Sequence, residues 1–389
     1  MPTIYVSCNG CEDGRLSSAY VEKFFKMNKC TVTRDAAQAD LIVFYACGLT
    51  KENENDSLRV LEKLQSTKKT DSELIVWGCL TKINPRLLAT VYDGPFIEPK
   101  NLDFFDTVLE KVDVPMNRIH ANTLIPPETT ECGHIAFRFT GLASNARARI
   151  RENRVCWIHT VKGCSHACTY CSDRCAWGRI NSRPIDRIVS EFKTGLLSGY
   201  DRFCLIGSDL GAYGTDTGNT LIDLLTRLVS IDDRRDYKII LPQMNPFHLK
   251  QMHNDLEKIF DSGKIGVFGS QVQSGSNRLL QIMGRNYTVE DWTEHMLRIR
   301  KRSPKILLET HLMVGFPTET DEDFRATLNL LDKILLDKIT VFKFSTRPHV
   351  AASHFPGQIP ETIKKSRWRK LSMKATLNMM TRRIQRTIM

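Results

Sequence analysis

The stretch GCSHACTYCSDRC, residues 163–175, spaces Cys164, Cys168, Cys171 and Cys175 by three, two and three residues. Thiols at this density hold zinc, close disulfides or carry an iron–sulfur cluster. A structural zinc site uses two ligand pairs separated by a longer spacer, and no second pair follows here. A four-iron cluster normally takes four thiolates. Three from one loop leave one iron open, as a catalytic metal keeps a position for its substrate. Further cysteines fall in three short turns, CNGCEDG, ACGLT and GCLTK, each of which closes a β-rich run.

The elements that must place these residues follow from the hydrophobic pattern. TIYVS precedes a helical stretch near Arg15–Met27, LIVFY one near Lys51–Ser66, and ELIVW one near Pro85–Val91. Such alternation predicts a parallel sheet with helices packed on it, a Rossmann-like α/β domain. Open α/β sheets gather ligands at the carboxyl ends of their strands, so cysteines in three equivalent turns converge at one edge. Residues 112–150 read as a linker containing VDVP and IPPET. A second alternation then runs from Val155 through CWIHTV, RFCLIG, KIILP, IGVFGSQV, ILLETHLMVG and ITVFKF. Six parallel strands with intervening helices fit a partial (β/α)6 barrel of TIM type. The cysteine-rich run occupies its first strand-to-helix loop. The predicted domains are 1–111, a linker at 112–150, a barrel at 151–348, and a basic helical segment at 349–389.

The bulk numbers narrow the class. With 41% hydrophobic and 25% charged residues, the 389-residue chain has an ordinary globular composition. It shows no signal peptide at its N-terminus and no apolar run near the ~18 residues of a membrane span. A cytoplasmic protein in a reducing compartment is expected, where twelve cysteines are metal ligands or buried thiols rather than disulfides. The net charge of +11 is concentrated in residues 364–389, which hold nine Lys or Arg and no acid. Smaller basic clusters lie at Arg147–Arg154 and Arg298–Lys305. The tail reads either as a solvated helix face or as a patch that tracks phosphates. Only Trp368 could stack on a base there.

Cys164, Cys168 and Cys171 form CxxxCxxC with Tyr170 before the last cysteine, which resembles the signature of radical S-adenosylmethionine enzymes. The likeness extends to the methylthiotransferase branch. WGRINSRP (177–184), LIGSDLGAYG (205–214), VQSGSNRLLQIMGRNYT (272–288), VGFPTETDEDF (314–324) and FSTRP (344–348) resemble that branch's motifs in order. Cys11, Cys47 and Cys79 fall on its three auxiliary-cluster positions.

The resemblance implies two [4Fe-4S] clusters, one on Cys164, Cys168 and Cys171 and one on Cys11, Cys47 and Cys79. In the family the open iron of the first binds the amino and carboxylate groups of S-adenosylmethionine. Reductive cleavage then gives a 5′-deoxyadenosyl radical that abstracts a substrate hydrogen. The second cluster carries the sulfur that is methylated and delivered, so two S-adenosylmethionine molecules are expected per turnover. A small electron donor such as flavodoxin or ferredoxin would supply the reducing electron. Tyr170, Gly207, Ser208, Gln271, Gln273 and Ser274 are expected at the cofactor or substrate cavity.

Cys8 competes with Cys11, but the strand-then-GC pattern favours Cys11 and leaves Cys8 facing the same cavity. Cys175 is not required by the pattern, and a fourth thiolate on the open iron would block the cofactor. Cys30, Cys132, Cys156 and Cys204 read as buried small hydrophobes, and His159, His166 and His311 as ordinary polar side chains. The Gly315–Phe316–Pro317 turn reads as structural.

Four departures from the family pattern bear on the substrate. No match to the usual C-terminal TRAM RNA-binding domain follows the basic segment. His311 stands where an Asp is usual, Ser208 where a Gln is usual, and Arg174 and Trp177 replace a Pro and an Arg. The expected activity is therefore replacement of C–H by C–S–CH3 on a peptide, a natural-product precursor or a transfer-RNA adenosine. The competing readings are sulfur insertion without methylation and a non-catalytic nucleic-acid-binding iron–sulfur sensor.

Overall fold

The computed structural model of the protein describes residues 1–119, 155–232 and 236–388. Cys132, the Arg147–Arg154 cluster and most of the expected linker lie outside the described residues. The chain divides into two compact units. The first is Met1–His159 with Ser172–Gly178 and Ser190–Tyr200, and the second is Thr160–Cys171, Arg179–Val189 and Asp201–Met389.

The first unit is built on a five-stranded parallel sheet of β1 (Thr3–Cys8), β2 (Thr31–Val32), β3 (Leu41–Tyr45), β4 (Glu73–Trp77) and β5 (Phe96–Ile97), in the order β2-β1-β3-β4-β5. Both faces are covered, so LIVFY is apolar throughout instead of alternating. Ile4, Val6, Val43, Tyr45, Ile75 and Trp77 pack on one side with Phe24 and Phe25 of α1 (Glu12–Met27). Ile42, Phe44, Leu74 and Val76 pack on the other with Leu61 and Leu64 of α2 (Lys51–Thr67). The stretch expected as a helix near Pro85–Val91 is a single turn, α4 (Pro85–Leu88), preceded by another, α3 (Leu80–Ile83). Pro85 cannot donate into a continuous helix, and Asn84 caps the second turn through the Leu87 N–H.

The strands expected beyond residue 155 all form: β6 (Val155–Lys162), β8 (Arg202–Gly207), β9 (Lys238–Met244), β10 (Ile265–Ser270), β11 (Leu307–Val314) and β12 (Lys338–Lys343). With the two-residue β7 (Asn181–Ser182) they make a sheet of order β12-β11-β10-β9-β8-β6-β7, open at both ends. Neighbours from β8 to β12 are parallel, and β7 pairs antiparallel with β6. The intervening helices are α5 (Asp173–Trp177), α6 (Ile185–Leu197), α7 (Leu221–Val229), α8 (Pro246–Asp261), α9 (Asn277–Ile282), α10 (Val289–Arg302) and α11 (Asp321–Lys333). Thr220, Thr288 and Thr320 open α7, α10 and α11 with capping boxes closed by Asp223, Asp291 and Asp323.

The basic tail is α12 (Glu361–Ile388), and much of its charge turns inward. Arg367 pairs with Glu319 and Asp321, Lys374 with Asp332, and Arg382 with Asp337. Asn378 satisfies the Leu331 and Ile334 carbonyls at the end of α11, and Trp368 Nε1 donates to the Val341 carbonyl. The helix is therefore neither a free face nor wholly a phosphate patch. Lys365, Arg369, Lys370 and Arg383 remain exposed.

Candidate cluster and cofactor sites

In the first unit, Cys8, Tyr45 and Trp77 stand side by side at the carboxyl ends of β1, β3 and β4. Cys11, Cys47 and Cys79 follow three, two and two residues later, which brings all three to one sheet edge. Cys11 precedes the first turn of α1 and Cys79 that of α3. The Cys47 N–H donates to Asn9 Oδ1 at 3.1 Å, and Ser57 Oγ donates to the Cys47 carbonyl at 2.8 Å. Asn9 Nδ2 in turn donates to Ser57 Oγ at 2.8 Å, so the first two turns are locked to α2. Tyr45 Oη lies 3.0 Å from Cys79 Sγ.

Cys47 and Cys79 are buried, whereas Cys11 is exposed as a residue although its thiol is desolvated. Desolvation pushes the Cys79 thiol well above its ordinary pKa, with the charge of Cys47 adding and the Tyr45 hydroxyl opposing. Cys11 is raised by desolvation and by Cys47, Asp13 and Cys79. Cys11 and Cys79, both held against ionising, need a cationic centre to stand as thiolates.

The neighbouring groups are also placed. Cys8 lies close enough to Cys47 for their charges to interact. It is fully buried in the core, its Sγ accepts the Gly10 N–H at 3.1 Å, and burial pushes its thiol up to about 12. Cys175 Sγ donates to the Lys82 carbonyl at 3.6 Å. His159 Nδ1 lies 2.9 Å from Asp13 Oδ1, and burial with the nearby Asp13 charge raises the Asp173 carboxyl to about 6. Cys30, Cys156 and Cys204 are buried, as small hydrophobes are.

In the second unit, Cys164, Cys168 and Cys171 follow β6 and are each partly exposed. Their loop is held by the Thr169 N–H on the Met283 carbonyl at 3.0 Å, Thr169 Oγ1 on the Ile282 carbonyl at 3.0 Å, and the Ala352 N–H on the Thr169 carbonyl at 2.8 Å. Arg285, which the motif contains but residue-by-residue reasoning did not single out, is buried against this loop. Its Nη1 lies 3.5 Å from Cys168 Sγ, and its Nη2 donates to the Gln271 carbonyl at 2.9 Å. Its guanidinium also sits 5.8 Å from the Tyr170 ring and 5.4 Å from that of Tyr287. A fixed positive charge beside one thiol of the trio fits a group that needs thiolates.

The expected cofactor residues separate. Gln273 has φ +72° and a buried Oε1 without a hydrogen-bond partner. Left-handed backbone at a non-glycine stores strain that functional sites tolerate, and that oxygen can receive a ligand donor. Gln271 is committed elsewhere, its Nε2 donating to the Pro242 carbonyl at 2.6 Å. Ser274 turns to α11, with its Oγ 3.3 Å from Thr327 Oγ1. A Cβ at Gly207 would lie 2.4 Å from Val161 Cγ1, so that glycine permits close packing of β6 on β8. Ser208, partly exposed, ends β8. Burial, then the charges of Lys338 and Arg285, lower the His311 pKa to about 4, so its imidazole is neutral at pH 7.

Residues 158–331 match the family model described as the Radical SAM superfamily, and residues 3–94 match Uncharacterized protein family UPF0004. The chain is 30% identical over 337 residues to the probable threonylcarbamoyladenosine tRNA methylthiotransferase of Archaeoglobus fulgidus, covering 86% of this chain and 74% of that protein. It is 29% identical over 382 residues to the threonylcarbamoyladenosine tRNA methylthiotransferase MtaB of Thermotoga maritima, covering 96% and 82%. The fold is shared with TsrM, a radical S-adenosylmethionine methyltransferase from Kitasatospora setae, at a TM-score of 0.63 and 14% identity, covering 90% of this chain and 75% of that one. The chain belongs to the radical S-adenosylmethionine methylthiotransferase family, transferases whose radical chemistry rests on a [4Fe-4S] cluster and S-adenosylmethionine.

Proposed function

We propose that the protein is a transfer-RNA methylthiotransferase that replaces C–H with C–S–CH3 on an adenosine bearing a threonylcarbamoyl group. The observation that carries this reading is the gathering of Cys11, Cys47 and Cys79 at one sheet edge, in a chain whose relatives are named as enzymes acting on that nucleoside. A peptide or natural-product substrate has no such support.

Cys164, Cys168 and Cys171 would hold the first cluster, and Cys11, Cys47 and Cys79 a second. With both groups and two S-adenosylmethionine molecules bound, the enzyme would generate a carbon radical on the substrate and supply methylated sulfur to it. The chain's own residues prepare that chemistry. Arg285 places a buried positive charge 3.5 Å from the Cys168 sulfur. Gln273 Oε1 offers an acceptor in the barrel, and the Tyr170 ring lies 5.8 Å from the Arg285 guanidinium. His311, neutral, adds no charge to the lumen. The exposed Lys365, Arg369 and Lys370 of α12 would meet RNA phosphates. A small protein reductant such as flavodoxin or ferredoxin would deliver the electron.

The test is an iron count after anaerobic reconstitution. The full chain should hold about eight irons, and the Cys11→Ala, Cys47→Ala, Cys79→Ala triple variant about four. A triple variant that keeps the full complement would remove the second cluster and the methylthio reading with it.

A further inference from the structure

We propose that His166, Asp209 and His248 form a binding site for one divalent first-row transition-metal ion, distinct from both cysteine trios. The three residues come from separate segments of the second unit. His166 lies in the loop after β6, Asp209 two residues past β8, and His248 in the first turn of α8 after β9. Their ligating atoms make a nearly equilateral triangle. The two Nε2 atoms are 3.0 Å apart, and they stand 3.0 Å and 3.1 Å from Asp209 Oδ2. With metal–ligand distances of about 2.0–2.1 Å, an ion would sit about 1 Å out of the plane of that triangle.

Hydrogen bonding cannot satisfy all three edges of the triangle at once, since each Nε2 carries at most one proton. Asp209 is 3% exposed, and its Oδ2 faces both imidazoles at hydrogen-bonding distance. The edge that joins the two ring nitrogens takes a proton from one of them, so that proton is lost to Asp209. Meanwhile Oδ1 accepts the backbone N–H groups of Gly211 and Asn245, each at 3.2 Å, which leaves Oδ2 aimed at the histidines. Carboxylates held this way are the usual support of a metal site. The packing is equally specific. A Cβ at Gly211 would lie 2.4 Å from His248 Cβ, so only glycine lets that imidazole sit where it does. The Phe247 ring meets both imidazoles edge-on, at 5.5 Å from His166 and 5.3 Å from His248.

Two imidazoles and one carboxylate on a single face are a donor set for Zn²⁺ or Fe²⁺, with coordination positions left open. Bound there, the ion would clamp the loop carrying Cys164 and Cys168 to the carboxyl ends of β8 and β9.

The experiment reconstitutes the full chain with both clusters anaerobically, adds zinc chloride, removes unbound metal and records zinc content and the zinc X-ray absorption spectrum. The expected result is about one zinc per chain with nitrogen and oxygen at about 2.0–2.1 Å, imidazole outer-shell scattering and no sulfur near ~2.3 Å. His248→Gln and Asp209→Asn should each weaken zinc binding at least about tenfold while iron content stays constant. Failure to retain zinc, sulfur ligation of the zinc, or unchanged binding in both variants would overturn the proposal. Should a variant also lose iron, the wild-type spectrum still decides, because it reports the ligands directly.

Discussion

Replacing Arg367 by Met should undock α12, and the structure fixes the size of the effect. Arg367 is 9% exposed as a side chain, and its Nη1 donates to the Glu319 carboxylate at 2.7 Å and to the Glu319 carbonyl at 2.9 Å. Its Nη2 reaches Asp321 at 2.7 Å. Methionine keeps most of the stem that packs near Phe324 but strands Glu319, a side chain only 1% exposed, with the Gly315 N–H as its remaining donor. Breaking one half of a buried ion pair costs about 3–5 kcal/mol. At about 1.4 kcal/mol per tenfold, opening of the helix should rise by roughly two to three and a half orders of magnitude.

The assay is native-state hydrogen exchange over residues 361–378. Adding Glu319→Gln to the Met variant removes the stranded charge and should recover part of the loss. The pH dependence has a definite sign. Burial already raises Glu319 above its ordinary 4.5, against the Gly315 N–H and Arg367, and losing Arg367 raises it further. The native state then keeps a proton that the unfolded chain has released, so stability falls with rising pH. The variant's deficit should be smallest below 4.5 and grow until pH passes the folded value. Acceleration of exchange by less than about threefold, under 1 kcal/mol, would refute the reasoning.

Gly284 has φ +73°, and a Cβ there would meet the Ala167 carbonyl at 3.0 Å, whereas Gly218 has φ +77° with open space around it. Both Gly→Ala changes should cost about 1–2 kcal/mol in backbone strain, measured by denaturation, but only Gly284→Ala should lower iron in the first cluster. Arg285→Met should shift the potential of that cluster to more negative values in an anaerobic redox titration, and Arg285→Lys should shift it less. An unchanged potential in the Met variant would show that the guanidinium does not influence the cluster. Cys8→Ala should keep the full iron complement, because that thiol already faces the Gly10 N–H in the core.

Sequence patterns revealed the elements whose burial leaves a strong signal. LIVFY and ELIVW are apolar along their length because both sheet faces are covered. β2, β5 and β7 span two residues each, too short for any periodicity to mark them. The tail was legible as a basic helix, but its role was not. Glu319, Asp321, Asp332 and Asp337 lie far upstream of the basic residues they neutralise, and only the fold brings them together. The three strand-end cysteines were visible as a pattern, while the direction of the Cys8 side chain depended on the local turn. Arg285 sat inside a quoted motif without a spacing rule to mark it. His166 read as ordinary because Asp209 and His248, the residues that give it meaning, come from other loops of the barrel.

The measurement that tests the central claim most directly is anaerobic turnover of reconstituted protein with S-adenosylmethionine, a reductant and transfer RNA bearing threonylcarbamoyladenosine, read by mass spectrometry of the digested nucleosides. The account predicts a methylthio form of that nucleoside together with 5′-deoxyadenosine, both lost in the Cys168→Ala variant. Formation of 5′-deoxyadenosine with no methylthio-nucleoside, from protein carrying both clusters, would contradict it.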